Sequence, residues 1–309
     1  MNVAFLLETY PKRMQFTRFS PITNMQLLIY RSTLRWWFCI TFCCCVAMAY
    51  ASGRSSRKSF PTAPDIVLLG DSNTWIGGDD CSQEQGWNYW FAQHFPHRSI
   101  RSYARSGATW THTHKTSRDE QQNTNKLADN NVVSNQVFRL ISAYRNGTQP
   151  TPHLIIIAAG TNDFWFLQAR PSALLQDVSR VFALPQQEVL KTPLNRLLSL
   201  AQAMRYDCTL LQQTFPQAHI ILLSPLQSTA FSAERLAEGT ALMVQIAQQL
   251  RLPLIRQDKI CSLRADDERK NFVYSTDGTH TSVLGAQHNG QILAQHITKI
   301  LQTPRISQR

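Results

Sequence analysis

Asp65-Ile-Val-Leu-Leu-Gly-Asp-Ser-Asn-Thr74 is the stretch on which the reading of this chain turns. Four consecutive aliphatic residues, Ile66 to Leu69, run straight into Gly70-Asp71-Ser72-Asn73. A short, unbroken aliphatic run offers no face to water, so it reads as a strand buried on both sides, as inside a parallel sheet. The glycine and aspartate that end it mark a tight turn at the strand's carboxyl end. That is the edge at which open α/β sheets hold their ligands. Ser72 there presents its hydroxyl, and its N–H is free to face a reacting oxygen. Alone, Gly-Asp-Ser is equally an ordinary strand-to-loop turn, so the rest of the chain decides.

Upstream of this strand the 309-residue chain changes character. Arg31 and Arg35 precede an apolar run, Trp36 to Ala49, which ends at Ala49-Tyr50-Ala51. A basic flank, a short apolar core and Ala-x-Ala make a secretory signal. The core is too short for the ~20 residues of a spanning helix. Residues 1–51 are therefore expected to be a leader cleaved after Ala51, with Met25 an alternative start. Two alternatives stay open: an uncleaved anchor, or lipidation at Cys43, Cys44 or Cys45, where Ile40-Thr41-Phe42 matches a lipobox poorly. Residues 52–64, rich in Ser, Arg and Pro, read as a linker. Residues 65–302 read as one domain, followed by a short tail, 303–309.

The formal net charge is +11. Removing the leader's five Lys/Arg and single Glu leaves 26 basic against 19 acidic residues, a net +7. These charges are scattered, with no basic stripe interleaved with aromatics, which argues against nucleic-acid binding. Membrane contact is expected only through the leader or a lipid anchor. Outside the leader the cysteines are Cys81, Cys208 and Cys261. They form no Cys-x-x-Cys pair, which argues against structural zinc, and two of them are free to bridge.

Downstream, further strand patterns recur. Ser99 to Tyr103, His153 to Gly160, His219 to Leu223 and Leu252 to Arg256 read as further strands. Between them lie helical patterns: Gln85 to Phe95, with Trp87, Trp90, Phe91 and Phe95 as a core stripe, then Val132 to Tyr144, Leu194 to Phe215, Ala233 to Leu250 and Leu284 to Leu301. Five strands alternating with helices predict one parallel sheet covered on both faces. Thr111 to Asn135, dense in Thr, Asn, Gln and Asp, is expected to be an exposed loop. Phe164 to Pro193 is expected to cap the sheet edge.

Several strands end in small polar turns, at Ser72, Gly107 and Asn162, and Thr276-Asp277-Gly-Thr-His280 lies just before the last helix. In a parallel sheet all carboxyl ends share one edge, so these residues are expected to meet. Acyl transfer needs a hydroxyl, a base, a group that orients the base, and donors for the oxyanion. Ser72 offers the hydroxyl, His280 a base of near-neutral type, and Asp277 a carboxylate able to reach the other ring nitrogen. The N–H groups of Ser72 and Gly107 and the amide of Asn162 are the candidate oxyanion donors.

In Gly70-Asp71-Ser72-Asn73, Ser106-Gly107-Ala108, Gly160-Thr161-Asn162-Asp163 and Asp277-x-x-His280, in that order, the chain resembles the SGNH (GDSL-type) hydrolases. The resemblance covers Asp65 to Gln302. It implies a flavodoxin-like three-layer α/β/α sandwich with a five-stranded parallel sheet, and serine-esterase activity with the roles just given. Two positions depart from the pattern: Asn73 stands where many members carry Leu or Ile, and Ala104 where many carry Asn.

Other residues read more plainly. His112 and His114 lack a third ligand and are expected to be exposed, so no metal and no cofactor is expected. His288 and His296 are expected to be solvated, and Asp71 to steady its turn. Asp163 reads equally as part of the block or as a helix N-cap. Asn146-Gly-Thr148 reads as a glycosylation sequon or a surface turn. Trp110, Phe164 and Trp165 are candidate substrate-binding aromatics, suited to sugar rings. The expected function is an exported esterase removing short acyl groups, acetyl foremost, from carbohydrate. The alternatives are a lipase or lysophospholipase, and a non-catalytic carbohydrate-binding protein on the same scaffold.

Overall fold

A computed structural model describes residues 65–121, 124–175 and 177–303. The chain divides into two units, Met1–Ser59 and Phe60–Arg309, and all described residues belong to the second. The expected leader, its cysteines, the linker and, apart from Thr303, the tail lie outside the described residues.

The expected strands form one parallel sheet of five: β1 (Asp65–Gly70), β2 (Ile100–Ser102), β3 (Pro152–Ala158), β4 (His219–Leu223) and β5 (Leu254–Ile255), in the order β2-β1-β3-β4-β5. Ile66 pairs with Ile100 on one side and Leu154 on the other; Ile156 pairs with Ile221, and Leu222 with Leu254. This is the flavodoxin-like order, in which the connection reverses direction between β1 and β3 and opens a crevice at their carboxyl ends.

Side chains of successive strand residues point to opposite faces, and the core divides accordingly. Val67, Leu69, Ile155, Ile157, Ile220 and Leu222 pack with α3 (Val133–Arg145), α7 (Leu200–Thr214) and α8 (Ala233–Leu250). Ile66, Leu68, Leu154, Ile156, Ile221 and Leu223 pack on α2 (Trp87–Ala92) and α11 (Val283–Gln302), through Trp87, Phe91, Leu293 and Ile297. Each such buried aliphatic side chain contributes about 1.5–3 kcal/mol. The result is three layers, helix on sheet on helix. The remaining helices are short: α1 (Ser72–Trp75), α4 (Thr161–Trp165), α5 (Val178–Ala183), α6 (Gln186–Lys191), α9 (Gln257–Ile260) and α10 (Ala265–Glu268).

Helix ends follow local chemistry. Ser199 and Gln202 form a reciprocal capping box at α7, so that helix starts at Leu200, after a separate 3₁₀ turn at Leu194–Arg196, and not at Leu194. Ser282 caps α11 by accepting from the Gly285 N–H at 3.1 Å, two residues after His280. A serine cap of this kind is worth about 1 kcal/mol, and here it fixes where the His280 segment ends.

The segment from Thr111 to Asn135 is exposed only in its middle, around Lys115, Arg118 and Lys126, and not at its two ends as its polarity predicts. Thr111, His112, Thr116, Asn131, Ser134 and Asn135 are buried. The Asn131 amide donates to Ser106 O and Lys126 O at 2.7 and 2.8 Å, and the Asn135 amide donates to Ser117 O and Asn130 O at 3.1 and 2.8 Å. Asparagine has both donor and acceptor on a short stem, so it satisfies loop backbone internally where water otherwise would. Cys81, Cys208 and Cys261 are all free and buried. Among the described residues no helix is long and apolar enough to cross a membrane.

Candidate active site

β1 delivers Ser72 to the crevice. Asp71 caps the short helix α1, accepting from Asn73 N at 3.3 Å, so the Ser72 N–H lies in the unpaired first turn of that helix. Burial pushes the Asp71 carboxyl up to about 6, against the Thr161 hydroxyl and the Asn73 N–H, which favour the charged form.

Ser72 Oγ lies 2.9 Å from His280 Nε2. With Nδ1 carrying the imidazole proton, Ser72 donates to Nε2 and Nδ1 donates to Asp277 Oδ2 at 2.7 Å. The other Asp277 oxygen, Oδ1, accepts from the backbone N–H groups of Thr279 and His280 at 2.9 and 2.8 Å. One carboxylate thus shapes the turn that carries the histidine and orients its ring. Burial pushes the Asp277 carboxyl upward, but the His280 N–H, its ring and the Thr279 N–H together hold it below the usual aspartate value. The pair is open to solvent, with side-chain exposures of 30% for His280 and 51% for Asp277.

Gly107 has φ +78°, in the left-handed region that favours glycine, and a Cβ there meets Leu127 N at 2.4 Å. Neither its N–H nor that of Ser72 has an acceptor among the described residues. Asn162, in the first turn of α4 after β3, donates one amide hydrogen to Ala108 O at 2.9 Å. That bond joins the Gly107 turn to the Asn162 turn and leaves the second amide hydrogen for another acceptor. Ser72, Gly107 and Asn162 therefore follow β1, β2 and β3 onto one sheet edge, with His280 and Asp277 brought in ahead of α11. A hydroxyl bonded to an oriented imidazole, beside free N–H donors, is equipped for nucleophilic acyl transfer.

Two expected substrate aromatics are corrected. Trp110 is fully buried and its indole N–H donates to Ala159 O at 3.1 Å. Phe164 is fully buried, stacked edge-on to Phe231 and seated on Gly239, where a Cβ falls 2.3 Å from its ring. Both belong to the core cluster that also holds Leu69 and Ile157. Trp165, at 37% exposure, remains at the surface, stacked on Phe166 at 5.2 Å. It stands three residues beyond Asn162 on α4, a spacing that shares a helix face.

His112 is also corrected: it is buried, bonded through Nε2 to Ser134 Oγ at 2.8 Å, and burial pushes its pKa down to about 3. His114 is exposed, so the two rings do not share a site. His288 is half-buried against Tyr274 and Ser262 rather than solvated. Among the described residues no group of three His, Cys, Asp or Glu side chains is placed to hold a metal.

The structure gives further residues roles that spacing did not assign. Asp163 is a loop anchor, accepting from the N–H groups of Trp110 and Thr111, each at 2.9 Å, and from the Thr111 hydroxyl. Buried Arg170 donates to Thr109 Oγ1 and Ala128 O. Gln136 of α3 and Asn73 bond backbone at the two ends of the Ser72 turn and the His280 segment. Asn73 and Asp163 carried a signal, Asn73 as a departure from the family's first block and Asp163 as the end of its third; the N-cap of α4 is Gly160, not Asp163.

The family model for the GDSL-like lipase/acylhydrolase family matches residues 68–288. The chain belongs to that family, and it is a carboxylic ester hydrolase. Among solved structures it is similar to a possible lipase from Chitinophaga pinensis, at 13% identity over 78% of this chain and 100% of that one, with a TM-score of 0.50. It is also similar to a putative GDSL-like lipase from Parabacteroides merdae, at 14% identity over 77% and 96%, TM-score 0.48. An acetyl xylan esterase aligns at 12% identity over 75% and 99%, TM-score 0.45. No curated protein matches the chain significantly.

Proposed function

We propose that this hydrolase is an exported serine esterase that removes short acyl groups, acetyl foremost, from carbohydrate. The observation that carries the mechanism is the unbroken chain Ser72 Oγ to His280 Nε2 to Asp277, at 2.9 and 2.7 Å. Ser72 Oγ attacks the acyl carbonyl as its proton passes to His280 Nε2, and Asp277 holds the resulting imidazolium. The oxyanion faces the Ser72 and Gly107 N–H groups and the Asn162 amide. Collapse forms acyl-Ser72 and expels the alcohol, which takes the proton from His280. Water, deprotonated by His280, then releases the carboxylic acid and restores Ser72.

The open position of His280 and Asp277 supports a polymeric alcohol, since a bulky sugar can approach without entering a tunnel. Exposed Trp165, on the Asn162 face of α4, supports stacking on a sugar ring. Export rests on the apolar leader ending at Ala51.

A second reading, a lipase acting at a lipid surface, is favoured by Phe272, Val273, Val283 and Leu284, which are exposed beside the His280 segment. Rates across p-nitrophenyl esters of rising chain length, followed by acetate release from acetylated oligosaccharides, separate the two. Highest rates with C2–C4 esters and release of acetate support the carbohydrate reading; fastest hydrolysis of C12 or longer esters overturns it. Fluorophosphonate labelling that disappears in Ser72→Ala tests the nucleophile.

A further inference from the structure

We propose that Asn73 is a positioning residue that holds His280 in register with Ser72. This rests on the reading of Ser72 and His280 as the reacting pair. Asn73 Nδ2 donates to the carbonyl of Thr279 at 3.1 Å, and its Oδ1 accepts from the N–H of Thr281 at 3.1 Å. A single side-chain amide therefore grips the backbone on both sides of residue 280, more than 200 positions away in sequence. The gripped residues Thr279 and Thr281 are 3% and 2% exposed, and Asn73 itself is buried. Water does not replace these bonds cheaply, because each buried backbone group left unpaired costs about 1–3 kcal/mol.

The chemistry is specific to asparagine. The grip needs one donor and one acceptor at a fixed separation. Leucine offers neither, and aspartate sets a second acceptor against the Thr279 carbonyl. The Asn73 side chain is not needed as a cap, since its own backbone N–H goes to Asp71 Oδ1.

The other fastenings of the segment lead elsewhere: the Thr279 hydroxyl to Ser228 at 2.7 Å, the Thr281 hydroxyl to Gln85 O at 3.2 Å, and Thr276 N to His280 O at 2.8 Å. Asn73 differs from these because it is bonded covalently to the nucleophile. Any motion of the Ser72 turn is passed through it to the histidine, so the two reacting groups move as one body. Asp277 holds His280 within its own turn; Asn73 holds that turn against Ser72. Loss of Asn73 should therefore leave the His280–Asp277 bond intact while letting the Ser72–His280 distance drift. A displacement of about 1 Å at such a pair costs about 10²-fold in rate.

The test compares Asn73→Leu and Asn73→Asp with the parent enzyme. Both variants are expected to lose about 10²-fold in kcat and in the rate of fluorophosphonate labelling, with KM little changed. The low-field proton resonance of the His280–Asp277 bond should persist. In a His280→Ala background, Asn73→Leu should cost nothing further, because there is no imidazole left to place. Labelling and kcat within twofold of the parent overturn the proposal, as does an undiminished Asn73→Leu loss in the His280→Ala background. If Asn73→Leu does not fold, the same readings on the nearly isosteric Asn73→Asp decide. A parent enzyme that the probe does not label, with activity that survives Ser72→Ala, overturns instead the assignment of the reacting pair.

Discussion

The Gln136 side chain pairs with both backbone groups of Gly70: Nε2 donates to the Gly70 carbonyl at 2.8 Å, and Oε1 accepts from the Gly70 N–H at 2.8 Å. Helix α3 thus completes the sheet ladder where β1 ends, two residues before Ser72. Gln136→Leu should destabilise the protein by about 1–3 kcal/mol, from the buried Gly70 N–H left unpaired, while the Gly70 carbonyl keeps the Arg105 N–H at 3.1 Å. Activity should fall with it, because the Ser72 turn loses its anchor. Urea unfolding checks the first, and kcat at a temperature where both proteins are folded checks the second. Unchanged stability rules out the amide pairing.

Ser72→Ala and His280→Ala should each abolish nearly all turnover, because neither group acts without the other. Asn162→Ala should lower kcat by about 10²–10³, the effect of losing one oxyanion donor. A normal kcat in that variant removes Asn162 from the site.

The aromatic residues should separate by burial. Trp110→Ala and Phe164→Ala should cost about 3–5 kcal/mol of stability as cavity-forming changes in the core. Trp165→Ala should leave stability unchanged and raise KM for a carbohydrate ester about tenfold, equivalent to one contact of about 1.4 kcal/mol. Thermal unfolding and steady-state kinetics on the three variants distinguish the roles.

Stability should depend on Asp207. It is fully buried in α7, where the nearby Ser134 hydroxyl is engaged by His112 Nε2 at 2.8 Å, and burial pushes its pKa from 3.8 up to about 8, offset only in part by that hydroxyl. The folded chain binds this proton more tightly than the unfolded one. Its contribution is therefore fully present below about pH 4 and is lost as the pH rises through about 8. Asp207→Asn should flatten the decline in Tm between pH 5 and 9. Parallel curves for the two proteins exclude a buried, protonated Asp207.

Chelation should leave activity intact. His112 is buried and His114 exposed, and no third ligand joins them among the described residues. Activity lost in EDTA and restored by a divalent metal returns attention to that segment.

The sheet was legible in the sequence because its three central strands, β1, β3 and β4, carry uninterrupted aliphatic runs, and such runs have few ways to escape water. Ser72, Gly107, Asn162 and the Asp277-x-x-His280 pair were legible because each stands in a small polar turn after a strand or ahead of the last amphipathic helix. Burial at the turns was not legible. Trp110 and Phe164 lie beside the site in sequence yet face the core, since one residue of rotation along a turn exchanges the two sides. The Thr111–Asn135 segment has the composition of a solvated loop, but its polar groups bond to one another and to the chain. A hydrogen-bonding side chain has the same composition whether its partner is water or backbone. Asn73 shows the limit most clearly: its partners, Thr279 and Thr281, are set by which strand neighbours which. Strand order is decided by how the two helical layers close over the sheet, a contact between distant segments that no local periodicity carries.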